Sequence, residues 1–165
     1  MFREINATDI KENVIDMISR EWMLITVGNK SGYNMMTASW GFMGEIWGAH
    51  SVSVVVRPQR YTMEFIEKND YFTLSFYGDN KAVHKVCGSM SGRDVNKTEL
   101  AKLTPVFCEK APYFCEARLV IVCKKQYVQQ LDGKCFTDKA PLNKWYNGDL
   151  HYNIIGKIEK VLVAK

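Results

Sequence analysis

Five short runs of strand-forming residues constrain this chain more than any other feature of its sequence. They are WMLITVG from Trp22, SVSVVV from Ser51, YFTLSFY from Tyr71, RLVIVC from Arg118 and HYNIIGKIEKVLV from His151. Each is rich in β-branched or aromatic residues. Asn29-Lys30-Ser31-Gly32 is a turn cluster, and Tyr33 to Phe42 returns from it, so residues 22–42 read as a hairpin. The fourth run lies at the centre of a strand spanning Cys115 to Tyr127. Gly156 inside the last run predicts a bend or bulge. The helices are short and scattered. Residues 8–20 read as one, capped by Thr8 or Asp9, with Ile10, Val14, Met17 and Ile18 on one stripe and Glu12 completing a capping box. Tyr61 to Lys68 reads as a second, and Lys81 to Cys87 as one turn or two. Thr98 to Leu103 reads as a further short helix. Ser89 to Lys97 reads as a loop and residues 128–149 as irregular. Crossover helices separate only some of the strands, which argues against a doubly wound parallel sheet. The prediction is a mainly β fold, an antiparallel barrel with a few short peripheral helices.

The chain is 165 residues long, which predicts one domain over 1–165. Its hydrophobic fraction of 47% is enough to fill a substantial core. A net charge of +4, with basic runs no longer than pairs such as Lys124-Lys125, argues against nucleic acid and favours a local anion site. The first dozen residues carry charges throughout, unlike a secretory or transit segment. No apolar run reaches the roughly 18 residues of a membrane span. These features predict a cytoplasmic protein with no membrane association. Cys87, Cys108, Cys115, Cys123 and Cys135 are odd in number and lack a CxxC spacing, so they read as reduced thiols rather than a disulfide framework.

No HExxH, GxSxG or Walker A sequence is present. His84 and Cys87 have H-x-x-C spacing, but one pair does not make a metal site. Three segments carry the functional signal. In Asn34-Met35-Met36-Thr37-Ala38-Ser39-Trp40, small hydroxyl residues lie beside apolar ones, so the backbone can approach a flat ligand. In Arg57-Pro58-Gln59-Arg60-Tyr61-Thr62, a strand ends where a helix begins, and the first N–H groups of that helix lack intrahelical partners. Such an end suits an anion, and flanking arginines strengthen a phosphate site. In Gly88-Ser89-Met90-Ser91-Gly92-Arg93-Asp94, followed by Lys97, glycines free the backbone and the cations add charge. Taken singly, each segment also fits an ordinary strand, surface turn or polar loop.

Together these segments resemble the flavin reductase-like, FMN-binding split-barrel proteins, and within them the flavoredoxin group. The likeness rests on NMMTASW (34–40), GFMGEIWG (41–48), VRPQRYT (56–62), YFTLSF (71–76), SGRDVNK (91–97), FCEARLV (114–120) and HYNIIGKI (151–158), from about residue 15 onward. The resemblance implies a Greek-key split barrel that forms a homodimer with FMN at the subunit interface. It implies that Thr37, Ala38, Ser39 and Trp40, with Asn34 and Met36 of the same segment, border the flavin ring and ribityl chain. Arg57, Gln59, Arg60, Tyr61 and Thr62 are then expected around the phosphate, with Arg57 and Arg60 equally eligible to touch it. Ser89, Ser91, Gly92, Arg93 and Lys97 complete the polar wall, and Trp145, Tyr146 and His151 are candidates for the rim. No catalytic side chain and no metal are expected, because a flavin carries its own electron chemistry.

The implied activity is a flavin-dependent oxidoreductase, passing electrons or hydride between NAD(P)H or a redox partner protein and FMN. FAD meets the same sequence elements. Two other readings compete: a non-catalytic FMN-binding electron carrier, and a haem-binding barrel with His84 or His151 as axial ligand.

Overall fold

The computed structural model describes residues 1–107 and 109–165; the reduced thiol expected at Cys108 lies outside the described residues. In chain order the elements are β1 (Phe2–Ile5), a 3-10 turn (Ala7–Asp9), α1 (Val14–Asp16) running into a π-helical turn (Met17–Glu21), β2 (Met23–Asn29), β3 (Gly32–Ala38), β4 (Gly41–Ile46) and β5 (Ala49–Val56). Then come α2 (Tyr61–Lys68), β6 (Tyr71–Phe76), α3 (Lys81–Ser89), α4 (Lys97–Leu100), β7 (Pro105–Val106), β8 (Tyr113–Phe114), β9 (Leu119–Gln130), a 3-10 turn (Gly133–Cys135), α5 (Ala140–Trp145) and β10 (Tyr152–Ala164).

The main sheet has the order β3-β2-β6-β9-β10-β5-β4, with β1 added to the far end of β10. All its pairings are antiparallel. Its two ends, β3 and β4, are not paired with each other, yet only Ser39 and Trp40 separate them in the chain. A two-residue link cannot span a flat seven-strand path, because strands lie about 4.8 Å apart. The sheet must therefore curl until its ends meet. The result is a mainly β split barrel: the strand pattern implied the antiparallel barrel and the resemblance its split, which falls at Ser39-Trp40.

Alternate residues point into the barrel. Ile25 and Val27, Met36 and Ala38, Val52, Val54 and Val56, Phe72, Leu74 and Phe76, and Leu119 and Ile121 form one core, closed by Met63 and Ile66 of α2. The opposite faces of β2, β3 and β9 are buried too: Leu24, Met35 and Val120 pack under α3 with Val83, Cys87, Tyr113 and Phe114. Burial on both faces explains why RLVIVC alternates so weakly. The bend expected at Gly156 is present as a register shift between Ile155 and Gly156 against β9.

Several local expectations are corrected. The helix read over 8–20 is broken: Ile10 is extended, and Asn13 starts a new helix by accepting from Ile15 N and Asp16 N. Neither Thr8 nor Asp9 caps a helix: both lie within the 3-10 turn, whose N-cap Asn6 makes no side-chain cap bond, and the cap falls to Asn13 instead. Glu12 makes no capping box with Asp9 and instead accepts from Lys11 N and Arg118. The stripe was correctly read, since Ile10, Val14, Met17 and Ile18 all pack on the barrel core. The return of the hairpin ends at Ala38, and Gly41 opens a separate strand. The strand at 115–127 starts later, at Leu119, and runs to Gln130, while α5 occupies part of the region read as irregular. Among the described residues, no helix is long and apolar enough to cross a membrane.

Candidate functional site

The groove lies at the split. β3 is an edge strand with no strand paired to its outer side, and the segment Met36 to Trp40 forms one wall. The facing wall comes from Val55 and Arg57 at the end of β5, with Arg60, Trp145 and His151. This part of the groove holds about 220 Å³. It continues past Met36 and Arg60 into a second chamber of about 350 Å³. Asn34, Gln59, Tyr61, Thr62, Cys87, Ser89, Met90, Ser91, Gly92, Arg93 and Lys97 line that chamber. All sixteen positions singled out in the sequence therefore border one groove in two chambers, although they come from three separate stretches of chain.

The second chamber is electropositive. Arg60, Arg93 and Lys97 line it, and no carboxylate does. Arg60 precedes α2 as its N-cap residue, and no side chain caps that helix. The N–H groups of Tyr61 and Thr62 thus open the helix without side-chain partners, in a pocket wall. Arg60 is exposed and makes no side-chain hydrogen bond or ion pair among the described residues. Lys97 is only 4% exposed, yet its Nζ meets no carboxylate. It donates to Met35 O, and to Cys87 O at 3.3 Å. Burial lowers its pKa, and Arg60 adds to the effect. An ammonium has three protons, so two carbonyls leave one for a ligand.

Arg57 differs from Arg60. It pairs with Asp149 and donates to Trp145 O at 2.8 Å, and its guanidinium lies 5.4 Å from the Tyr146 ring centre. Gln59 donates to the same Asp149 oxygen at 2.8 Å. Hydrogen bonds from Gln59 and Arg57 hold the Asp149 carboxyl well below the usual carboxylate range. Arg57 thereby fastens the segment 145–149 over the groove. Arg93 pairs with Glu64 of α2 and lies 4.7 Å over the Tyr61 ring, which ties the 91–97 loop to α2.

Of the three rim candidates, Trp145 and His151 line the first chamber, and Tyr146 supports them from behind. His151 Nδ1 lies 2.9 Å from the Tyr146 hydroxyl. The His151 ring is 5.3 Å from that of Trp40. Burial and then Arg57 push its pKa down to about 4. His84 borders neither chamber. Among the described residues no group of three metal ligands exists. Asp149 and Val55 were missed in the sequence, Cys87 was read only as a reduced thiol, and Met90 lay in the third segment without a role. Asp149 meets Arg57 across 92 positions, and no local pattern announces such a pair.

The family model of the flavin reductase like domain matches residues 16–165. No curated protein matches the sequence. Among solved structures, a flavoredoxin from Methanosarcina acetivorans superposes with TM-score 0.70 at 20% identity, covering 88% of this chain and 69% of that one. An FMN-binding domain of a flavin reductases-like enzyme from Shewanella baltica gives TM-score 0.70 at 14% identity, over 99% of this chain and 77% of that one. A putative flavin reductase with a split barrel domain from Shewanella frigidimarina gives 0.69 at 20% identity, over 97% and 77%. These identities establish a likeness of fold.

Proposed function

The chain belongs to the flavin reductase like domain family, and on that premise we propose that it is an FMN-binding oxidoreductase passing electrons or hydride between NAD(P)H or a redox partner and the flavin. The observation that carries this reading is the second chamber: three cations, no carboxylate, a buried lysine with a proton to spare and an uncapped helix start. That donor set fits a phosphate dianion. The adjoining chamber, bounded by Thr37 to Trp40 and His151, is the part that fits a planar ring.

In this assignment Arg60, Lys97 and the Tyr61 and Thr62 N–H groups hold the phosphate. Ser89 and Ser91 add hydroxyl donors, and Arg93 closes the wall from Glu64. Asn34 keeps the two halves of the site in register: its Nδ2 donates to Thr62 Oγ1 at 2.8 Å across a buried contact. Thr37 and Ala38 offer the unpaired edge of β3 to the ring, with Ser39 just beyond it, while Trp40 and Trp145, whose rings are 5.1 Å apart, limit water on one side. When bound, the flavin supplies the electron chemistry itself. His151, with its depressed pKa, is neutral near pH 7 and adds no charge beside the ring.

A second copy of the chain is proposed to complete the groove. β4 ends the sheet with an unpaired edge and exposes Phe42 and Ile46, and Trp47 in the turn that follows extends them into an apolar strip that a lone protomer would leave in water. The deciding experiment is the visible spectrum of the purified protein, followed by NADH and then NADPH. Flavin bands that bleach with either nucleotide support the oxidoreductase. Bands that bleach only with a reduced partner protein point to a carrier. A colourless protein that leaves FMN fluorescence unquenched defeats the proposal.

Two further outcomes are expected. A Cβ on Gly92 would lie 2.1 Å from Asn34 Oδ1, and Asn34 is itself held by Thr62. Gly92→Ala therefore forces the 91–97 loop off β3, and FMN titration should show affinity falling by roughly tenfold or more, from about 1–3 kcal/mol of overpacking. The second concerns pH. Burial holds the Lys97 ammonium below the ordinary lysine range in the folded protein. Between the lowered pKa and the unfolded value, the unfolded chain binds the extra proton, so stability rises with pH through that window. Urea unfolding from pH 7 to 10 should show this contribution as the difference in slope between the apoprotein and Lys97→Met, because burial raises the Cys87 and Cys123 thiols and these add an opposing slope at the high end of the range to both proteins. Saturating FMN should flatten the Lys97 contribution, because a bound phosphate favours the charged ammonium.

A further inference from the structure

Behind the first chamber lies a layer that the proposed phosphate and ring contacts do not use. His84 on α3 is 3% exposed and caged by two aromatic rings, those of Trp22 and Tyr77, each edge-on at 5.8 Å. Trp22 reaches this position from a backbone that non-glycine residues rarely adopt, φ 70° and ψ 164°. The conformation is held from several sides. Trp22 N donates to Met17 O and its Nε1 to Ser19 O, both at 3.0 Å, and Lys81 Nζ sits 4.3 Å over the indole. The preceding residue, Glu21, is clamped by Arg118 and by Gly78 N. The chain thus maintains a strained turn whose side chain closes one side of the His84 cage.

Among the described residues, only one polar contact leaves the imidazole. His84 Nδ1 lies 3.1 Å from Thr37 Oγ1, while His84 Nε2 is buried with no partner. Two tautomers are possible. With the proton on Nε2, a buried N–H is orphaned and Thr37 gives its own proton to Nδ1. With the proton on Nδ1, the orphan is an acceptor lone pair, and Thr37 receives a hydrogen bond. Orphaned buried donors are the rarer of the two in folded proteins. In the second arrangement the Thr37 proton has only His84 O to meet inside the protein, at 3.4 Å, which is long for a hydroxyl donor. Its other direction is the chamber that Thr37 lines. Burial, and after it Lys81, lowers the His84 pKa to about 4, against a smaller opposing effect of Glu21. The ring is therefore neutral near pH 7, with a single N–H to place.

We propose that His84 is a positioning residue: its Nδ1–H donates to Thr37 Oγ1 and so commits the Thr37 hydroxyl proton to an acceptor atom of whatever occupies the first chamber. That the occupant is a flavin ring rests on the function proposed above. Gly88 supports the arrangement, because it lets α3 approach Thr37 closely: a Cβ there would lie 3.3 Å from Thr37 Cβ.

The test has two arms. Imidazole nitrogen NMR on the free wild-type protein reads the tautomer directly. A protonated Nδ1 and bare Nε2 at His84 are expected, and a protonated Nε2 overturns the proposal whether or not FMN binds. The second arm measures FMN affinity and the midpoint potential of the bound flavin in Thr37→Val, His84→Leu, the double variant and His84→Asn. Thr37→Val and His84→Leu should each weaken FMN by roughly three- to tenfold, the worth of one neutral hydrogen bond. They should shift the potential in the same direction, and the double variant should lose no more than either single one. His84→Asn, whose amide N–H stands where Nδ1–H does, should recover most of both. Additive losses, or an unrescued asparagine variant, overturn the proposal. If wild type fails to bind FMN, the flavin reading falls and the tautomer result still decides the orientation of Thr37.

Discussion

Arg60→Ala should weaken FMN binding by about 1.5–3 kcal/mol, the range for a hydrogen bond to a charged group, or roughly ten- to 150-fold. Fluorescence quenching of FMN on titration measures it. The sequence offered Arg57 and Arg60 equally, since both flank Pro58 at the strand end. The structure separates them by what each already holds. Arg57 pairs with Asp149 and bonds Trp145 O, whereas the Arg60 side chain has no partner among the described residues and borders both chambers. Arg60 also lies near Lys97 and lowers its pKa. Two unneutralised cations at one end of a groove repel each other until an anion arrives, so removing one removes binding energy that the apoprotein does not use. The apoprotein melting temperature should accordingly stay constant or rise slightly in Arg60→Ala. Arg57→Ala should behave differently, by leaving Asp149 and Trp145 O without that donor and loosening the 145–149 segment. Unchanged FMN affinity in Arg60→Ala removes that residue from the phosphate site.

What the sequence made legible follows from range. The boundary between β5 and α2 was placed almost to the residue, because a β-branched run, a proline and an amphipathic stretch meet within Ser51 to Ile66. The sixteen positions that line the groove were legible as three stretches, since each stretch carries its own backbone or charge signal. Nothing local tells that Ser39-Trp40 joins the two ends of a seven-strand path; that emerges only from pairing. β1 escaped notice because FREI buries little and forms only by adding to the end of β10. The N-terminal stripe was read with the right face and the wrong backbone, because amphipathic spacing records which residues reach the core and not how the chain travels between them. His84 was weighed as a haem or metal ligand, which took its residue type for its role. Its neighbours, Trp22 and Tyr77, lie on other elements, and the unpartnered Nε2 is sealed among them rather than presented to the groove.

Gly28→Ala should be among the most destabilising single changes outside the core, at about 2–5 kcal/mol, because two costs fall on one residue. Gly28 has φ +123°, and a Cβ there would lie 2.3 Å from Gly32 O and 2.6 Å from Tyr33 Cα. Both neighbours are backbone, fixed by the antiparallel pairing of Gly28 with Tyr33, and cannot rotate away. The turn beyond is held by Asn29 Oδ1, which accepts from Ser31 N at 2.8 Å. For a chain of this size the loss corresponds to a fall of roughly 5–20 °C in melting temperature. Gly48→Ala is the control. Gly48 has φ +67°, but nothing stands within 4 Å of its Cβ position, so only the conformational cost of about 1 kcal/mol applies. The difference between the two variants isolates the steric part. The functional consequence lies in β3, which Gly28 pins at its start. Met36 and Ala38 face the barrel core while Met35 packs under α3, and Thr37, next in the alternation, meets His84 on α3. A one-residue slip would exchange those faces and turn Thr37 away from His84. Gly28→Ala should therefore lose FMN affinity along with stability, even below its melting temperature. A variant as stable as Gly48→Ala would show instead that the hairpin opens to admit the methyl group.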